Sequence, residues 1–145
     1  MSLIKDLRDA LYERVLDIDI SEVWEDGWTW KGKYPPKQKE YPAFWVEPTS
    51  DGPQITIDSC SAETPFRYWV SITESYEDAP SGEDLSIELA DLVRSSLLSA
   101  VKSGEPIGSG AFDGSLTGQW GFDDRLGERV YRIEVTIRAT EELDP

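Results

Sequence analysis

The chain has 145 residues, the size of one ordinary domain, and 39% hydrophobic with 11% aromatic residues is enough apolar surface to offset the entropy of folding. Against 14 Lys and Arg stand 29 Asp and Glu, a net charge of -15, and such a field repels nucleic-acid phosphates and anionic membrane faces. Direct reading of DNA is disfavoured, and an acid excess of this size either keeps a protein soluble at high salt or meets a basic partner. Cys60 is the only cysteine, which excludes an intrachain disulfide framework and a multi-cysteine metal site. No stretch approaches the roughly 20 apolar residues of a membrane span, and MSLIKDLRDALYERVL is charged and amphipathic with no signal-peptide core, so the expected place of synthesis is a cytoplasm.

Leu3, Leu7, Ala10, Leu11 and Val15 recur at helical spacing opposite Lys5, Asp6, Arg8, Asp9 and Glu13, with Ser2 as a cap, which predicts a short amphipathic helix. Residues 17–41 lose periodicity and are punctuated by Gly27, Gly32 and Pro35-Pro36; they read as a long aromatic loop with a small hairpin around Trp28 to Tyr34. Ala43 to Glu47 and Gln54 to Asp58 have strand character on either side of Ser50-Asp51-Gly52-Pro53, which predicts a hairpin. In FRYWVSITESY, Phe66, Tyr68, Val70 and Ile72 share one face of a strand and Trp69 lies on the polar side.

Ser81 with Asp84 resembles a capping box, and Leu85, Leu89, Leu92, Val93, Leu97 and Val101 form the stripe of a second helix that Gly104 and Pro106 stop. Residues 103–114 read as a Gly-rich loop, followed by a strand with Leu116, Gly118, Trp120 and Phe122 on one face and a turn through 123–127. The last strand alternates Tyr131, Ile133, Val135 and Ile137 with Arg132, Glu134, Thr136 and Arg138. Together these predict an α+β fold over residues 1–145, a mostly antiparallel sheet of four to five strands with two amphipathic helices packed on one face.

The chain has no histidine, which removes the usual neutral-pH general base and the commonest metal ligand. Around Cys60 the sequence IDSCSAE offers only carboxylates, which raise a thiol pKa rather than lower it. Asp17-Ile18-Asp19, Glu25-Asp26 and Asp123-Asp124 are adjacent acids expected by chance in so acidic a chain, and none fits a calcium loop. GSGAFDGS lacks the Gly-Lys-Ser/Thr ending of a phosphate loop, and Gly108-Ser109-Gly110 does not open a helix after a strand. The reading is of a protein that is no enzyme, with no catalytic residues, metal ligands or cofactor.

Trp24, Trp28, Trp30 and Tyr34 lie close to Lys31, Lys33, Lys37 and Lys39. Two fates fit this segment: the tryptophans fold back to cap the sheet, or they anchor a protein partner, since Trp is enriched at interface hot spots. Contact with single-stranded nucleic acid is a minor option against the global charge. The candidate interface residues are Trp24, Trp28, Trp30, Tyr34, Lys31, Lys33, Trp69 and Trp120.

The succession of helix LIKDLRDALYERVL, strand YPAFWVEP, strand FRYWVSITESYED, helix LSIELADLVRSSLLSAV and strand RVYRIEVTIRAT resembles the tail-terminator and tail-completion proteins of tailed viruses across nearly the whole chain. The resemblance implies a virion structural protein, a subunit of a sixfold ring that closes the head-proximal end of the tail tube and joins it to the neck. Its partners would be other copies of itself, the tail-tube protein and a neck or connector protein, with DNA passing through without specific binding and no membrane involved. The acid excess fits the virus of a halophilic host. Another neck or head-completion subunit, or a small acidic inhibitor or immunity-type module that masks a basic surface, is the alternative.

Overall fold

The computed structural model describes residues 2–37, 40–52, 54–58, 60–75, 82–123 and 128–142, and the side chains of 75, 82–85, 122 and 123 lie outside that description. Helix α1 spans Leu3–Leu16; Ser2 starts it by accepting the Lys5 N–H on its hydroxyl at 3.2 Å. Its Leu7, Leu11 and Val15 are fully buried, one stripe of the periodicity that predicts the helix. Helix α2 spans Gly82–Ser103 and buries Leu89, Val93, Leu97 and Ala100; it ends at Gly104, whose φ of 61° suits a glycine past a helix terminus. Ser81 and the side chain of Asp84, the expected cap, lie outside the described residues. No helix among the described residues is long and apolar enough to cross a membrane.

The strands are β1 (Trp30–Gly32), β2 (Ala43–Asp51), β3 (Ile55–Asp58), β4 (Ser61–Ser75), β5 (Pro106–Ile107), β6 (Gly110–Asp123) and β7 (Glu128–Glu142). They form one seven-stranded sheet in the order β1-β2-β4-β7-β6-β5, with β3 pairing β4 beside the end of β2. The fold is α+β as expected, but with seven strands rather than four or five, and the sheet is mixed because β1 runs parallel to β2. Its centre is the ladder between β4 and β7, unbroken from Ser61↔Glu142 to Ser75↔Glu128. Phe66, Tyr68, Val70 and Ile72 on β4 face the same side as Ile137, Val135, Ile133 and Tyr131 on β7, and all eight are buried.

Three local expectations are corrected. Residues 43–58 do not form a hairpin: Ser50 and Asp51 already pair with Arg67 and Phe66, and β3 continues along the same edge of β4. At the joint, the Gly52 N–H donates to the Pro65 carbonyl at 2.7 Å, and a Cβ on Gly52 would lie 2.5 Å from Pro65 Cγ. Only glycine brings the backbone that close, so the turn-like composition marks a step in an edge and not a reversal. The reversal comes between β3 and β4, where the Asp58 carboxylate accepts the Cys60 N–H at 2.8 Å and the Ser61 hydroxyl at 3.0 Å. Around Trp28 to Tyr34 there is a parallel edge strand, β1, in place of the small hairpin. Within the expected Gly-rich loop, β5 and β6 pair through Pro106↔Ala111 and Ile107↔Gly110 across a two-residue turn, and Gly108 supplies the positive φ of 57° that tight hairpins need.

Both helices pack on the face carrying Phe66 to Ile72, and the sheet curls around α1 so that α1 meets β2 on one side and β5 on the other. The β5–β6 turn sits against the helix so closely that a Cβ on Gly108 would meet the Ala10 methyl at 3.2 Å. Arg14 ties this side together, its Nε 2.9 Å from Glu105 Oε1 and its Nη1 donating to Ser96 Oγ at 3.2 Å. The buried Tyr68 hydroxyl donates to the Ile4 carbonyl at 2.7 Å, and burial pushes its pKa up.

Candidate functional site

The aromatic segment divides between the core and the corner formed by β1. Ile18 and Ile20 are buried in the core, which turns Asp17 and Asp19 outward; Asp19 accepts the Ser21 N–H at 2.9 Å, and hydrogen bonding from Ser21 holds its carboxyl below the usual range. Trp24 and Trp28 are half-buried against the same core. The Trp24 indole donates to Glu74 Oε1 at 3.1 Å, and Trp28 lies with its ring 4.7 Å from that of Phe44, its own indole N–H buried with no hydrogen-bond partner among the described residues. Glu74 is 3% exposed; burial raises its carboxyl pKa, opposed by hydrogen bonds from Ser86 and Trp24 and by the charge of Arg129. Among the described residues no three His, Cys, Asp or Glu side chains stand close enough together to hold a metal ion.

Trp30, Lys31, Lys33 and Tyr34 come together at the β1 corner. Trp30 folds over Gly32 and its indole donates to the Tyr34 carbonyl at 3.0 Å, while the Tyr34 ring, 66% exposed, lies 5.4 Å from the Arg8 guanidinium. Lys33 Nζ stands 3.3 Å from Asp9 Oδ1, which Arg8 also contacts at 3.0 Å. Burial works to raise the Asp9 pKa, but hydrogen bonds from Arg8 and Lys33 outweigh it and the carboxyl sits below its ordinary value. Lys31 is exposed, and its carbonyl accepts the Tyr12 hydroxyl at 3.4 Å. Trp30, Tyr34, Pro35, Lys37 and Glu40 line a shallow hollow of about 340 Å³ there.

Trp69 and Trp120 lie elsewhere. Trp69 is on the sheet face opposite the helices, with the Arg132 guanidinium 5.3 Å above its ring. On the same face an open groove of about 580 Å³ runs between Ile55 and residues 113–117, floored by Arg67, Glu134, Thr136 and Arg138. Arg138 is held at both ends, to Glu63 at 3.0 Å and to Asp113 at 2.6 Å. Trp120 is on the helix face of β6, 39% exposed, its ring tilted against that of Tyr131 with centroids 4.6 Å apart. The aromatic and basic candidates therefore occupy four places: the core side, the β1 corner, the open face and the helix face of β6.

The sequence reading missed the edges of the sheet. All four residues of β3 are exposed, Ile55 at 57% and Ile57 at 54%, and among the described residues β3 pairs only with β4. On the far side of the sheet, Thr117 to Trp120 of β6 are exposed, and β5 covers β6 only at Gly110 and Ala111. The signal was present as ITI after the uncharged Gly52-Pro53-Gln54, but an expected pairing with β2 hid it.

No protein-family model matches the chain, and no curated protein matches it. Among solved structures its fold is similar to a chain described as the virion of a native gene transfer agent particle. The identity is 14% and the TM-score 0.49, with 93% of each chain covered.

Proposed function

We propose that this chain is a virion structural subunit of a tailed virus, a tail-terminator or tail-completion protein that assembles into a sixfold ring at the head-proximal end of the tail tube and joins it to the neck. The observation that carries this reading is where the resembling segments fall. LIKDLRDALYERVL, YPAFWVEP, FRYWVSITESYED, LSIELADLVRSSLLSAV and RVYRIEVTIRAT supply α1, β2, β4, α2 and β7, so the whole succession builds a single sheet with both helices on one face. The opposite face, the β1 corner and two stretches of edge remain outward on a rigid frame, which is what a subunit that works by contact needs. A net charge of -15 suits a lumen through which DNA slides without sticking, and a halophilic host accounts for the rest of the acid excess.

Adding the purified protein to polymerising tail-tube protein of the same virus tests the proposal. Tubes are expected to stop growing and to carry a ring at one end in negative-stain images. Unchanged tube lengths at saturating protein, or a monomer that forms a one-to-one complex with a basic enzyme, would contradict it.

A further inference from the structure

The unpaired edges of the sheet lie diagonally across it. At the end where β4 begins, β5 covers the β6 edge at Gly110 and Ala111, while β3 opposite has no outer partner among the described residues. At the other end β1 covers β2 through Ala43 to Trp45, while β6 from Thr117 to Asp123 has no outer partner among the described residues. Edge strands carry free N–H and C=O groups, and proteins that stay monomeric blunt them with charges or proline. Here charge enters each edge only at the strand end, at Asp58 and Asp123. Residues 52–57, GPQITI, and 114–122, GSLTGQWGF, contain no charged residue in a chain that is 30% charged. β3 also exposes two β-branched side chains, Ile55 and Ile57, each more than half accessible.

The net charge restricts what can sit on these edges. Two copies at -15 each repel one another, so a self-contact forms where carboxylates are fewest, and on these two edges the aspartates, Asp58 on β3 and Asp123 on β6, stand only at the strand ends. They are also different from each other and at opposite ends of one sheet, as a head-to-tail contact requires; identical patches would give a twofold dimer instead. We infer that the β3 edge at Ile55 to Ile57 of one subunit pairs by strand addition with the β6 edge at 117–121 of a second copy, extending the sheet from subunit to subunit. This rests on the ring reading above and names the contact that would build it. Main-chain hydrogen bonds supply the pairing, and Ile55, Ile57 and Trp120 supply apolar area beside it.

The test uses two double variants of the full chain, Ile55→Lys with Ile57→Lys and Thr117→Asp with Gln119→Asp, all at exposed positions, with circular dichroism to verify that each keeps the wild-type fold. Native mass spectrometry of wild type is expected to give a closed multiple of the 16.4 kDa chain, each variant alone 16.4 kDa, and an equimolar mixture of the two variants restored oligomers that alternate them, because lysine edges then meet aspartate edges. Wild-type oligomers that persist in both variants overturn the edge pairing while leaving the ring intact. Variants that dissociate but stay monomeric when mixed also overturn it. A wild type that is 16.4 kDa at every concentration overturns the ring itself.

Discussion

Glu74 shows how one residue couples the loop at 17–29 to the sheet, because its buried carboxylate receives the Trp24 indole N–H at 3.1 Å. Burial raises its folded pKa above the ordinary 4.5, so the native state holds its proton at pH values where the unfolded chain has released it. Stability from this group is therefore lost as pH rises from about 4.5 through the folded value, and Glu74→Gln removes that dependence. The difference in melting temperature, Gln variant minus wild type, is expected to move in favour of Gln between about pH 4 and pH 8; a difference flat with pH would contradict the assignment. Gly52→Ala places a methyl 2.5 Å from Pro65 Cγ and is expected to cost about 1–3 kcal/mol in denaturant unfolding. That contact also explains why Ser50-Asp51-Gly52-Pro53 misled: local composition encodes a turn, and a residue 13 positions further along the chain decides otherwise.

The elements whose signal is periodic were legible. The stripes Leu7, Leu11, Val15 and Leu89, Val93, Leu97 are buried, as are the alternating residues of β4 and β7, because burial of one face imposes the period. β1 and β5 were not legible, at three and two residues each, since elements that short exist only through their partners. The same long-range dependence hid the site: Trp24 and Trp28 pack on the core while Trp30 and Tyr34 stay at the corner, and nothing in their spacing separates the pairs. Helix α1 holds both ends of the curled sheet, so Leu11→Ala is expected to lose about 2–5 kcal/mol, read by urea unfolding. Ser2→Ala, which removes only the cap, should lose about 1 kcal/mol in the same experiment.

At the scale of the whole molecule, a charge of -15 on 145 residues works against both compaction and assembly, and salt screens it. Melting temperature and oligomeric mass are both expected to rise from about 0.1 M to about 2 M salt, where the Debye length falls to roughly 3 Å or less; behaviour independent of salt would show that the acid excess is offset locally. The central claim is that this chain works by assembling with itself into a closed ring. Light scattering on the purified protein in molar salt, across a hundredfold range of concentration, tests it most directly. The account predicts one mass, a fixed multiple of 16.4 kDa that does not change with concentration once formed; a mass of 16.4 kDa throughout, or growth without limit, would contradict it.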